Sequence, residues 1–368
     1  MNNAQQREDR SKSYAPQDRP EIIVMAQKAR FQSGRAAKVK TDGDGTYIDG
    51  IPPLKWGQWR DCVYSGAIEV LLGALGIPAS YEHIAGLSGS AYRFAMRPDW
   101  DPSASLLQVG ANAEMNCNLF YGIDAYSVDD ESRDQKVMRS IEKGVPVLIC
   151  GGRFAPEWSL LTGYQHADGK VKFYGRSYFD FQGARDDEIF TQNQYYFADH
   201  YPGEYPSALL RLYDRSCPAL SLAEALRRSL KACIDAFHQP KSGELLYGYD
   251  AYECAASGFE EGNYGHVSHH FSALLDARRC AYRYLEDSAL LLSGDLQNRL
   301  LAVAALYREI FCLLAAAMPY EELNEGKFES DLSPDFCQKV ADTLRRVSGL
   351  EKQIRVLVSE ILIHWDAC

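Results

Sequence analysis

This sequence has no excess of basic residues. Its 368 residues include 39 lysines and arginines against 50 aspartates and glutamates, a formal net charge of −11. Proteins that bind nucleic acids or anionic membranes usually present a basic face. The longest apolar run, 300–318, contains Arg308 and Glu309, which favours a buried helix over a membrane span. We therefore expect neither nucleic acid nor a membrane among its partners.

Export and metal-binding motifs are also missing. Residues 1–21 contain no apolar core of the kind found in signal peptides. The ten cysteines form no C-x-x-C motif and no cysteine–histidine pairs at zinc-finger spacing. Disulfide scaffolds are shorter and denser in cysteine, so free thiols are the simplest account. The sequence thus predicts a cytoplasmic protein and suggests no cofactor.

What is present is the composition of a folded chain, with 46% hydrophobic and 24% charged residues. The length suffices for two domains. Residues 1–44 are predicted to form an N-terminal arm, 45–217 mix helix and strand signals, and 218–368 are helical throughout. The predicted fold class is therefore α+β, with an α-helical bundle as the second domain.

Periodicity and capping predict several helices. Apolar residues recur at helical spacing from 63 to 75, and Gly76 with Pro78 ends this helix. Ser80 is the predicted cap of a short second helix, and Ser221 with Glu224 forms a capping box. Further helices are expected at 131–143, 265–292, 296–317 and 334–366.

Strand signals cluster before residue 217. They lie at 145–150, 158–164, 170–176 and 209–213. The segment 41–45 is similar to the start of a calcium loop, but Thr46, Tyr47 and Pro53 occupy positions where ligands and a glycine are needed. An ordinary hairpin turn is therefore favoured over a calcium site.

The most informative segment, WGQWRDC at 56–62, runs directly into the first predicted helix. A thiol at a helix N-terminus faces unpaired N–H groups and the positive end of the dipole, which favours the thiolate. Cysteine enzymes of the papain type place their nucleophile in this way, and an earlier glutamine donates to the oxyanion. Cys62 fits the first role, and Gln58, four residues earlier, comes close to the second at a shorter spacing than usual, with a buried structural cysteine as the open alternative.

The segment from Cys62 to Phe94 resembles the N-terminal domain of the H-type proteins of butirosin biosynthesis, papain-like relatives of the C39 cysteine peptidases. The shared order is Cys62, Gly76, Ser80 with Glu82, the loop 86–89, Tyr92 and Phe94. The segment WSLLTGY at 158–164 resembles the strand that follows the catalytic histidine in such folds. The resemblance implies a papain-like domain at 45–217, followed by the helical region that accompanies it in bacterial members.

Two positions depart from the family pattern. Glu157 stands where the histidine should precede the strand, and the segment 174–176, Tyr-Gly-Arg, stands where an asparagine or aspartate would orient it. A carboxylate is a poor base for a thiol, because its ordinary pKa of about 4 lies far below that of the thiol. His83 or His166 could still approach Cys62 in the fold.

Two functions from different classes follow. In the first, the protein is a cysteine-dependent amide hydrolase or amine acyltransferase. Cys62 is then the nucleophile, Gln58 and the Cys62 N–H the oxyanion donors, and Glu157 or His166 the base or orienting residue. In the second, which the substitution at Glu157 favours, a papain-like protein without a working base binds a small molecule or peptide in the old cleft. Its candidate ligand-binding residues are Asp61, Ser88, Trp158 and Tyr174.

The resembled fold also gives a geometric expectation and leaves three weaker signals. Because it packs the Cys62 helix against the strand after Glu157, Glu157 should be the nearest charged neighbour of Cys62.

The H-x-x-H-H pattern at 266–270 lacks the glutamate of a zincin, so a solvated cluster is favoured over a metal site. The loop 86–91 lacks the second glycine of a hydrolase elbow and is expected to turn beside the cleft. The aromatic-rich segment 174–205 should lie between the domains and line the cleft.

Overall fold

The computed structural model describes residues 38–43, 45–103, 120–121, 124–127, 132–150, 157–178, 195–197, 210–214, 220–237 and 244–367. Within these ranges, helices and antiparallel sheet alternate in the first part of the chain, and the later part is almost entirely helical. The predicted α+β class is confirmed. The domain boundary expected at 217 and most of the predicted arm lie outside the described residues, as do 179–194 and 198–205 of the aromatic-rich segment.

Antiparallel pairing joins the described strands. In chain order they are β1 Val39–Asp42, β2 Gly45–Ile48, β3 Ala95–Met96, β4 Asp124–Ser127, β5 Val147–Cys150, β6 Trp158–Ala167, β7 Lys170–Arg176, β8 Tyr195–Phe197, β9 Leu210–Asp214 and β10 Leu246–Tyr247. β6 is central in the main sheet, because β2 and β5 pair with successive parts of one edge and β7 pairs with the other. β1 and β2 form the expected hairpin, so the end of the predicted arm belongs to the sheet.

Most helices lie where periodicity and capping predict them. They are α1 Val63–Ala74, α2 Tyr81–Ser88, α3 Arg133–Glu142, α4 Leu222–Asp235, α5 Tyr249–Glu261, α6 Val267–Ala289, α7 Gly294–Ala317, α8 Tyr320–Asn324 and α9 Pro334–Ala367. Two predicted caps are confirmed. The Ser80 hydroxyl accepts the His83 N–H, and the Ser221 hydroxyl accepts the Glu224 N–H.

One apolar core connects the sheet to the later helices. Successive side chains of β5 face opposite sides of the sheet: Leu148 and Cys150 belong to the core that contains α1, whereas Val147 and Ile149 pack with α3. The core on the α1 side continues without a break into α6, α7 and α9. Because α2 packs directly on α6, the first part of the sequence is buried against the second.

A buried ion pair fixes α6 within this core. Arg278 Nε lies 2.7 Å from Glu351 Oε1 on α9, and both side chains are fully buried. Arg278 also donates to the Tyr252 hydroxyl of α5 at 2.8 Å and to the Ala91 and Arg93 carbonyls at 3.0 and 3.1 Å. These contacts compensate the burial of the two charges.

α7 is long and apolar enough to span a membrane by length and composition, with a mean hydropathy of 1.9 over 18 residues. In that window 39% is buried, and the helix packs on α6 and α9. Core helices of soluble proteins meet the same criterion. The finding therefore favours neither a membrane span nor a buried helix on its own.

Candidate functional site

Cys62 begins α1, the helix that packs on β5 and β6. It occupies the N-cap position with φ −91° and ψ 100°, and its carbonyl accepts the Gly66 N–H at 3.1 Å. Cys62 is half-buried and its thiol is free, whereas most residues of α1 are buried. The predicted placement of this cysteine at the N-terminus of a buried helix is confirmed.

Hydroxyl groups surround the Cys62 thiol. Ser65 Oγ donates to Cys62 Sγ at 3.3 Å and contacts Ser90 Oγ at 3.2 Å, which in turn contacts Ser88 Oγ at 3.0 Å. Burial raises the pKa of the Cys62 thiol, and hydrogen bonds from Ser65 and Ser90 only partly oppose it. Burial therefore acts against the thiolate that the helix N-terminus was expected to favour.

Tyr81 and Asp276 connect the Cys62 backbone to α6. The Tyr81 hydroxyl accepts the Cys62 N–H at 2.8 Å and donates to Asp276 Oδ2 at 2.6 Å. The same carboxylate oxygen accepts the Asp61 N–H at 2.9 Å. Asp61, Cys62, Tyr81, Asp276 and Cys280 help to line a cavity of about 10 Å³, the room of a single water molecule. The Cys62 N–H that the acyl-transfer hypothesis assigns to an oxyanion is already engaged.

Asp61 holds the segment before α1 in place and is fully buried. Its Oδ1 accepts the Gly57 N–H at 3.0 Å, and its Oδ2 accepts the Tyr320 hydroxyl at 2.5 Å. Burial, together with the charge of Asp276, raises the pKa of Asp61 to about 7. The Trp59 ring stacks on that of Tyr320 with centroids 3.7 Å apart, and the Trp59 backbone N–H donates to the Tyr320 hydroxyl at 2.8 Å. Through these hydrogen bonds Asp61 fixes the conformation of the segment before α1.

Arg279 of α6 balances the buried carboxylates. Its guanidinium donates to Asp276 Oδ1 at 2.8 Å, to Glu82 Oε1 at 2.8 Å and to the Trp59 carbonyl at 2.7 Å. Burial alone would raise the pKa of Glu82, but the charge of Arg279 lowers it to about 2. The network therefore joins the segment before α1 to α2 and α6 through charged side chains.

Glu157 is buried directly before β6, but its carboxylate is bound to the segment that follows β7. Ser177 Oγ donates to Glu157 Oε1 at 2.5 Å, and the Tyr178 N–H donates to Oε2 at 3.2 Å. The charge with the largest effect on the Cys62 thiol is that of Asp276. Hydrogen bonds to the Asp61 N–H and through Tyr81 thus tie Asp276 to the start of α1.

Neither predicted histidine is hydrogen-bonded to Cys62 in the described part of the chain. His83 is buried, its Nδ1 lies 3.2 Å from the Tyr121 hydroxyl, and burial lowers its pKa to about 3. His166 is exposed near the end of β6. At about 3.3 Å per strand residue, it lies roughly 30 Å along the strand from Glu157. The thiol therefore lacks a histidine base among the described residues.

The other candidate residues are dispersed. Gln58 is exposed on the wall of a large cleft, whereas Trp158 is buried edge-on against Tyr64 with ring centroids 5.6 Å apart. The Tyr174 hydroxyl is directed away from this region, because it donates to the Thr46 carbonyl of β2 at 3.2 Å. Trp158 and Tyr174 therefore pack within the fold, and only Gln58 of these three borders the cleft.

The large cleft has a volume of about 840 Å³ and opens between the sheet-bearing part and the later helices. Its wall combines the segment 53–58, the end of β7, the start of α6 and the segment after α8. The lining includes Lys55, Trp56, Arg176, Tyr178, His269 and Glu329, and it does not include Cys62.

Aromatic rings occupy the centre of the cleft wall. The Trp56 ring centroid lies 5.5 Å from that of His269 and 6.1 Å from that of Tyr178. Burial lowers the pKa of His269 and so favours its neutral imidazole. At the rim, Glu329 Oε1 accepts the Ser268 N–H at 2.8 Å. No group of three or more potential metal ligands occurs within the described ranges.

Sequence reasoning missed four residues of the network: Tyr81, Asp276, Arg279 and Tyr320. Tyr81 lies 19 residues after Cys62, whereas Asp276 is 195 residues from Tyr81 and Tyr320 is 259 residues from Asp61. One signal was present. Three charged residues interrupt the otherwise apolar stretch 271–281, and charges in such a stretch indicate a buried polar network.

No protein-family model matches the chain, and a search of the curated proteins finds no match. Fold and site together define an α+β protein with a ligand-sized cleft and, separate from its lining, a half-buried cysteine. The geometry of the cleft and of Cys62 is therefore the basis for inferring a function.

Proposed function

We propose that this protein has a papain-like domain with a degenerate catalytic site and that it binds a small molecule or a peptide in the large cleft. The separation of the cleft from the thiol carries this proposal. Trp56, Tyr178 and His269 line the cleft, whereas Cys62 borders the small cavity and is not part of the cleft lining. The cleft volume of about 840 Å³ lies in the usual range of small-molecule sites.

The state of Cys62 supports binding over catalysis. Its thiol pKa is raised by burial, and the side chains that hydrogen-bond to it are the hydroxyls of Ser65 and Ser90, neither of which is a base. The Cys62 N–H, which a tetrahedral oxyanion would need, is bound to the Tyr81 hydroxyl. A nucleophile in this setting has no hydrogen-bonded histidine base within the described residues, and the backbone N–H at its own position is already engaged.

The packing of α1 supports the papain-like assignment. In the resembled fold, the helix that begins with the cysteine packs against the strand that follows the histidine position. Here α1 packs on β5 and β6, and Glu157 directly precedes β6. The helical region then follows in the order that the resemblance implies.

The cleft wall favours a ligand that combines a planar group with charge. Trp56 and His269 offer ring faces at its centre, and the exposed Lys55 and Glu329 offer opposite charges at its rim. Amino acid derivatives and short peptides carry both kinds of group. They are therefore the first ligands to test.

A thermal-shift screen of amino acid amides and dipeptides tests the proposal. We expect aromatic members of the panel to raise the melting temperature of the wild type, because binding to the native state stabilises it. Trp56→Ala should abolish the shift, whereas Cys62→Ser should keep it. His166→Ala, a substitution on the exposed end of β6, is the matched control. Loss of the shift in Cys62→Ser but not in Trp56→Ala would contradict the proposal.

The cysteine-dependent enzyme remains the alternative, and the alkylation of Cys62 by iodoacetamide as a function of pH separates the two. A midpoint at or above the ordinary thiol value of about 8.5 supports the binding protein. A midpoint well below that value, together with turnover of an acyl amide, would support the enzyme.

A further inference from the structure

Tyr178 connects the large cleft to the helix turn that carries Cys62. Its ring lies on the cleft wall, edge-on to Trp56 with centroids 6.1 Å apart. Its hydroxyl lies against Gly66 of α1, where an added Cβ would be only 1.9 Å away. Since the Gly66 N–H bonds to the Cys62 carbonyl at 3.1 Å, the hydroxyl reaches the first turn of α1. The phenol ring therefore extends from the cleft towards the thiol.

The backbone of Tyr178 is held by a hydrogen bond, whereas its side-chain hydroxyl is not. Its backbone N–H donates to Glu157 Oε2 at 3.2 Å, and Glu157 is held in turn by the Ser177 hydroxyl. The side chain is only 4% exposed, yet its hydroxyl has no hydrogen-bond partner among the described residues. A buried hydroxyl without a partner is unfavourable, so packing, including the edge-to-face contact with Trp56, holds the ring in place.

We propose that Tyr178 is a gate between the cleft and Cys62 and that ligands bearing an aryl group open it. In this structure the ring lies between the cleft and the first turn of α1. In the open state it rotates about its Cα–Cβ bond, while Glu157 keeps the backbone fixed, and the aryl group of the ligand fills the vacated slot. This gate deepens the proposed function, since the ligand enters through the cleft.

The slot itself identifies the ligand class. Gly66 leaves room for the end of a flat ring, and Trp56 meets that ring at an interplanar angle of 87°. This edge-to-face contact is available to an aryl group and not to an aliphatic chain of the same length. The side chain of Tyr178, which is itself a phenol, thus fills the slot that the aryl group of a ligand would occupy.

Alkylation of Cys62 by iodoacetamide, followed by mass spectrometry of the Cys62 peptide, tests the gate. The exposed Cys312 in the same molecule is the internal reference. The rate is measured across the thiol titration, because the limiting rate reports access separately from the thiol pKa. We expect Tyr178→Ala to raise the limiting rate by about tenfold, equivalent to removing an opening step of about 1.4 kcal/mol. Tyr178→Phe keeps the ring and should stay close to the wild type.

Occupancy of the slot is tested with 4-methylphenol. We expect this compound to lower the limiting rate at Cys62 in the Tyr178→Ala variant and to leave the rate at Cys312 unchanged. Cyclohexanol, which lacks an aromatic ring, is the matched control and should have a smaller effect. Equal protection by both compounds would overturn the aryl selectivity.

A second variant keeps the test decisive if Tyr178→Ala does not fold. The methyl group of Gly66→Ala displaces the hydroxyl from its place, so this variant should also raise the limiting rate at Cys62. An unchanged rate in either folded variant, or a wild-type Cys62 as reactive as Cys312, overturns the gate. None of these results depends on the ligand screen, so the gate and the binding function fail separately.

Discussion

Substitution of Gly66 by alanine tests the tight contact between α1 and Tyr178. The added Cβ would lie 1.9 Å from the Tyr178 hydroxyl oxygen and 3.1 Å from the carbon that bears it. Overpacking of this kind usually costs about 1–3 kcal/mol. Alanine gains up to about 1 kcal/mol over glycine within a helix, so a net loss of about 1–2 kcal/mol in the free energy of unfolding is expected.

The same helix supplies the control for this substitution. Gly73 also lies in α1, and a Cβ added there meets nothing within 4 Å. Gly73→Ala should therefore be neutral or stabilising by up to about 1 kcal/mol. Urea unfolding followed by circular dichroism measures both variants.

A double-mutant cycle identifies the atom responsible. Tyr178→Phe removes the hydroxyl oxygen, and the next atom of the ring lies 3.1 Å from the added Cβ, a distance that a small shift can relieve. The Gly66→Ala/Tyr178→Phe protein should therefore recover most of the lost stability, with a coupling energy of about 1–2 kcal/mol. If Gly66→Ala behaves like Gly73→Ala, or if the coupling is zero, the hydroxyl does not lie where we place it.

Three further substitutions follow from the buried charges. Because the pKa of Asp61 is raised to about 7, the folded state binds this proton more tightly than the unfolded state does. Its contribution to stability therefore falls as pH rises from about 4 to about 7. Asp61→Asn should remove that slope from urea unfolding curves, and parallel curves for variant and wild type would contradict it. Glu351→Gln should cost about 3–5 kcal/mol, because it leaves the buried Arg278 guanidinium unpaired; in the same urea assay, Glu253→Gln in an exposed ion pair should change stability by less than about 0.5 kcal/mol. Glu157→Ala should lower stability by about 1–3 kcal/mol through loss of the acceptor for the Tyr178 N–H, and a variant as stable as the wild type would argue against this anchor.

The sequence predicts the local structure of this protein well because the signals are local. The Ser80 and Ser221 caps each depend on residues three positions apart, and both are observed. The position of Cys62 at the start of α1 follows from the apolar periodicity of that helix alone. Such features need no knowledge of the tertiary fold.

The surroundings of Cys62 could not be predicted in the same way. The Tyr81–Asp276 and Asp61–Tyr320 contacts join segments that no periodicity relates. The dipole argument for a reactive thiol considered only the helix, whereas desolvation by the surrounding core determines the direction of the pKa. Glu157 was found as an unusual residue, but its hydrogen bonds to Ser177 and Tyr178, which follow β7, could not be read from its position in the sequence.

The apolar core that runs from the sheet into α6, α7 and α9 constrains how this chain can change during evolution. If the chain were divided near residue 217, α1 and α2 would be separated from the helices that cover them. Each of the two pieces would then expose apolar surface. Recombination at that point would separate Asp61 from Tyr320 and Tyr81 from Asp276. The two parts are therefore expected to be inherited together, with substitutions on one side compensated on the other.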